Sequence, residues 1–112
     1  MSIAKTIHHQ ILTLTPTPIV WSWGASKWQA VGQNQIQGIG EEYAGALLFY
    51  VRGFLHKGHV LVSLNAMDEY TISIGHVRKG KMNIKDQKTG IHFDMLGTII
   101  DEMIEKRPEY AY

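Results

Sequence analysis

The chain contains no cysteine. That absence excludes disulfides, thiolate nucleophiles and thiolate zinc sites together. It fits a reducing compartment. No apolar run approaches the roughly 20 residues of a membrane span. The opening MSIAKTIHHQILTL is too polar for a signal-peptide core, with Lys5, His8, His9 and Gln10 spread through it. The expectation is a cytoplasmic protein with no membrane partner. An excess of one charge is missing too. Eleven Lys and Arg face ten Asp and Glu, for a net charge of +1 with six neutral histidines. Whole-molecule charge therefore names no partner. No HExxH, nucleophile motif or complete phosphate loop is present. IQGIGEE has two glycines, Gly38 and Gly40, but lacks a third glycine, a lysine and an amphipathic helix behind it.

What is there is enough to fold. At 112 residues, 45% hydrophobic and 19% charged, the chain reads as one globular domain, residues 1–112. Ile3, Ile7, Ile11 and Leu14 define one helical face, with Ser2 placed to cap it. Thr15–Pro18, TPTP, stops that helix. Ile19, Trp21 and Trp23 alternate with Val20 and Ser22, which predicts a strand. Gly24–Lys27 reads as a turn, and Trp28–Val31 as a short returning strand. GQNQIQGIGEE, Gly32–Glu42, has little to bury and predicts a long mobile loop.

Tyr43–Phe54 is apolar on both faces and predicts a central strand. Val60–Leu64 and Tyr70–Ile74 are further strands, joined by the turn chemistry of Asn65–Asp68. Arg78–Lys81 is another turn, MNIK a short strand, and Gln87–Gly90 a turn again. Asp94 can cap a last helix with Leu96, Ile99, Ile100, Met103 and Ile104 on one face, closed by Pro108. The expected fold is α+β: an N-terminal helix, an antiparallel meander of five or six strands, and a C-terminal helix. Both helices pack on one sheet face as a two-layer sandwich.

GFLHKGHV, Gly53–Val60, holds His56, Lys57 and His59. It reads as a hairpin, with Gly58 suited to a left-handed turn and Gly53 to a bulge. The plain alternative, which leads, is an exposed solvated tip. The functional alternatives are a metal site or an acid–base site. A metal needs a third ligand, for which His76 or Asp68 is the candidate. Acid–base chemistry needs a carboxylate partner, and none is evident locally.

Trp21 and Trp23 are expected in the core, leaving Trp28 as the exposed indole. His8 and His9 point apart, one to solvent. Arg78, Lys79, Lys81, Lys85 and Lys88 stand against one acid, Asp86. Such a basic hairpin can grip phosphates. With no interleaved aromatic, a solvated edge that discourages aggregation leads. Tyr110 in the aromatic tail is a candidate contact for a second copy.

SWG at Ser22–Gly24, GFLHKG at Gly53–Gly58, then Asp68, Tyr70 and the amphipathic last helix resemble a family of small uncharacterised bacterial proteins often encoded on mobile elements. The resemblance covers about Trp21 to Lys106, with the GQNQIQGIGEE segment outside the pattern. It implies no activity and no catalytic residue, and it marks SWG and GFLHKG for attention.

Three functional expectations follow. First is a non-enzymatic interaction module that binds another protein or itself through residues such as Trp28 or Tyr110, with no cofactor. Second is a small-ligand or metal-binding domain, a hydrolase among its forms, using His56, His59 and His76. Third is nucleic-acid binding through residues 78–88, including Arg78, Lys79 and Lys81.

Overall fold

A computed structural model describes residues 3–53 and 55–104. Ser2, Pro108 and Tyr110, named above as cap, helix stop and contact, lie outside the described residues.

Helix α1 spans Ile3–Leu14 and buries Ala4, Ile7 and Ile11, as the four-residue spacing requires. Leu14 departs from that face and is 49% exposed. The helix breaks at Pro16, which caps a short second helix, α2, Thr17–Ser22. Residues 19–24 are therefore not the predicted strand. Pro18 lies in the first turn of α2, where a missing N–H costs no hydrogen bond. The single helical turn rotates the two indoles apart. Trp21 is 79% exposed, whereas Trp23 is fully buried. The expectation that both lie in the core fails for that reason. Trp23 ends α2, and its Nε1–H donates to Asp101 Oδ1 at 3.1 Å.

Five antiparallel strands follow in sequence order: β1 Ser26–Val31, β2 Gly45–Arg52, β3 Lys57–Leu64, β4 Tyr70–Arg78 and β5 Lys81–Ile91. A meander is the natural outcome of short connections. Asn65 builds the β3–β4 turn, its Oδ1 accepting from the N–H groups of Met67 and Glu69. Lys79 and Gly80 make the β4–β5 turn, both at positive φ, as a two-residue hairpin loop demands. The turn expected at Gln87–Gly90 does not form. β5 continues through it and absorbs the irregularity as shifts of register against β4.

Period-two alternation sorts the side chains. Leu47, Phe49, Val51, Val60, Val62, Ile72 and Ile74 share one face with the buried residues of α1 and of α3, Leu96–Ile104. Both helices thus cover one sheet face, in the α+β class expected. Burying each such side chain contributes about 1.5–3 kcal/mol. Asp94 does not cap α3. It lies in a 3-10 turn, Phe93–Met95, that begins after His92 and leads into the helix.

The other sheet face is not left to solvent. The connection 32–44 folds back across it and buries Ile36, Ile39 and Tyr43 against Ala46, Leu48, Leu61 and Met82. The Tyr43 hydroxyl accepts from Ile36 N–H at 2.7 Å and donates to Ile36 O at 2.8 Å. Gln37 pairs with the edge of β5, donating to Gly80 O and accepting from Met82 N–H. The expectation of a loop with little to bury is overturned. Three hydrophobic residues among the glycines and amides suffice to anchor it. Among the described residues no helix is long and apolar enough to cross a membrane.

Candidate binding surface at the basic end of the sheet

His56, Lys57 and His59 do not sit together at an exposed tip. β3 begins at Lys57, so Lys57, Gly58 and His59 are strand residues facing Arg52, Val51 and Tyr50 of β2. His56 is buried, at 3% exposure. Gly58 has no positive φ; its role is close approach. A Cβ there would lie 2.7 Å from Gly75 O, 2.8 Å from His76 Cε1 and 2.9 Å from His56 Cε1. Glycine leaves the space that the two imidazoles occupy.

Strand alternation then separates the three histidines. His56 and His76 rings lie 6.0 Å apart on the helix side of the sheet. His59 projects to the opposite side, edge-on to Tyr50 at 5.4 Å. Val77 N–H donates to His59 Nδ1 at 3.1 Å. That bond assigns the neutral tautomer with its proton on Nε2. His56 Nε2 donates to His59 O at 3.2 Å. Burial holds the His59 pKa below the usual imidazole value, helped by the nearby His76 and Lys27. Burial also lowers that of His56, against the opposing hydrogen bond to the His59 carbonyl, with Lys85, His76 and His59 adding to the fall. Among the described residues no cluster of three or more His, Asp or Glu is arranged to hold a metal ion. Two grooves of about 260 and 190 Å³ lie by α1 and between α2 and α3, and neither is lined by His56, His59 or His76.

Charge, by contrast, is gathered. The pairings Arg52↔Lys57 and Arg78↔Lys81 close the same end of the sheet. Lys79 sits in the turn beyond them, and Lys27 enters from the start of β1. All six side chains are exposed. The acids Asp68 and Glu69 lie at the opposite end, in and after the β3–β4 turn. Glu41 is there too, its carboxylate accepting from the Thr71 hydroxyl. The basic end is not free of acid: Asp101 of α3 reaches it through Trp23, whose carbonyl accepts from Arg52 N–H.

The basic end also carries aromatics. Arg52 shares a face with Tyr50 and Lys57 with His59, two residues on in each strand. The Lys27 ammonium lies 5.3 Å from the Tyr50 ring centroid, within cation–π range. The stretch 78–88 has no aromatic of its own, and by alternation Arg78 and Lys81 share the end of the sheet with Tyr50 and His59 but lie on its other face. Sequence reasoning missed Lys27, Tyr50 and Arg52. Their only signal was their distance from the end of a strand whose register was not yet known.

Trp28 is not the exposed indole. It is stacked between His8 at 4.3 Å and Phe49 at 4.4 Å, which leaves His9 as the solvent-facing member of the histidine pair. Comparison of the chain with known protein families, characterised proteins and solved structures finds no match.

Proposed function

We propose that this protein is a small non-enzymatic binding module whose partner is a nucleic acid, held through its phosphates at the basic end of the sheet. The observation that supports this reading is the gathering of Lys27, Arg52, Lys57, Arg78, Lys79 and Lys81 at one end, with Asp68, Glu69 and Glu41 at the other. Cations so arranged release counterions when they neutralise phosphates, which gives affinity without sequence preference. The test is binding of a labelled nucleic acid across a salt series. Affinity is expected to fall steeply and linearly on logarithmic axes, and more gently in Arg78→Gln/Lys81→Gln. Absent or salt-independent binding overturns the reading.

A second reading, binding to another protein or to a second copy, rests on Trp21, which is 79% exposed on α2, and on Leu12 and Leu14 of α1, which are half exposed as well. Trp21→Ala is then expected to shift a concentration-dependent sedimentation coefficient to that of the monomer. A wild-type chain that sediments as a monomer at all concentrations removes the self-association form.

A further inference from the structure

We infer that the Tyr50 face, with Lys27 and His59 beside it, is a nucleotide subsite selective for single-stranded nucleic acid. The inference rests on the nucleic-acid reading above and adds which form is bound and by which groups. Among the described residues the non-glycine residues with positive φ are Lys27, Asn34, Asp68 and Lys79. Asn34, Asp68 and Lys79 lie in turns or loops; Lys27 lies inside a strand. Its left-handed backbone coincides with the shift of β1 register between Ser26 and Gln29. Such bulges re-aim a side chain. Here the bulge swings the ammonium over the Tyr50 ring.

A lysine on a half-exposed ring blocks nothing permanently. Its flexible stem can swing to a phosphate and leave the ring face for a base. His59 contributes from the side. Its Nδ1 is engaged by Val77 N–H, so the neutral ring presents Nε2–H, which has no acceptor among the described residues. An edge-on contact with Tyr50 also holds the phenol ring in place. Arg52 and Lys57 continue the same face and flank the platform with phosphate-binding charge. A flat ring can stack only on a base whose face is free, which a duplex does not offer.

The experiment is fluorescence anisotropy with the full chain and labelled oligothymidylate and oligouridylate, a duplex of equal length, and heparin as competitor. Wild type is expected to bind a single strand more tightly than the duplex. Tyr50→Leu should weaken single-strand binding roughly 5- to 100-fold, the effect of losing one stacked base, with duplex binding changed less than twofold. Tyr50→Phe, which keeps the ring, should bind like wild type. The Tyr50 ring proton resonances of the wild type should move upfield on adding the oligonucleotide. That measurement needs no substitution and stands if a variant fails to fold. Equal affinity for single strand and duplex, with unmoved Tyr50 resonances, overturns the subsite and leaves the phosphate-binding reading standing. Binding to none of the polyanions overturns both.

Discussion

The backbone N–H of Val77 donates to His59 Nδ1 at 3.1 Å, where the β3–β4 pairing has just ended at His59↔Gly75. Continuing that register would set Gly58 opposite His76 and then Lys57 opposite Val77. A side chain instead satisfies the strand N–H, and the bond holds only while Nδ1 is unprotonated.

That relationship makes stability depend on pH. The folded-state pKa of His59 is depressed, chiefly by burial, so the unfolded chain takes up the proton first as pH falls below about 6.5. Stability is fully present above that value and is lost as pH falls towards the lower folded-state value. Buried His56 acts in the same direction. Urea midpoints measured from pH 7.5 to 5 should decline, and His59→Asn, whose Oδ1 can still accept from Val77, should flatten the decline. A midpoint that rises on acidification contradicts the assignment.

Gly58→Ala tests the crowding between β3 and β4. The new methyl meets a backbone carbonyl, Gly75 O, at 2.7 Å, and interior strands cannot step aside. The cost should be about 1–3 kcal/mol, as for other overpacked sites, read from urea denaturation. A neutral substitution would show that the strands are less tightly fixed than described.

The two indoles of α2 should behave oppositely. Trp23→Ala removes a fully buried ring and its bond to Asp101, which should cost about 3–5 kcal/mol. Trp21→Ala should change stability by less than about 0.5 kcal/mol. Thermal unfolding of the two variants decides it. Similar losses would return Trp21 to the core.

The connection 32–44 should be ordered. Amide exchange at Ile36 and Gln37 is expected to be slow, because each N–H is bonded, to the Tyr43 hydroxyl and to Gly80 O. Tyr43→Phe removes the hydroxyl from a buried site and should cost about 1–3 kcal/mol, with faster exchange at Ile36. Exchange at the rate of an unstructured peptide in the wild type would refute the packing.

The sequence by itself determined the elements whose cause is local. Ile7 and Ile11 make a helix face because their spacing matches the helical period, and Leu96, Ile100 and Met103 do so again. Asn65 and Lys79-Gly80 make turns because their own backbone and side-chain chemistry does. β2 is apolar on both faces because both are covered, and the run Gly45–Val51 says so directly. The misread elements lack a distinguishing local signal. IVWSWG alternates like a strand over too few residues to tell the period of two from one turn of helix, and Pro16 and Pro18 decided the matter from upstream. Gly58 signals a special backbone without saying whether a turn or a close neighbour requires it, and that neighbour, Gly75, lies in another strand. The candidate surface was legible only in part: Arg78, Lys79 and Lys81 form a basic run and Lys57 stands between two histidines. Lys27, Tyr50 and Arg52 are scattered along the chain, and each is unremarkable in its own segment. Antiparallel pairing returns the chain to the same end of the sheet with every second turn, and only the register decides which side chains meet there.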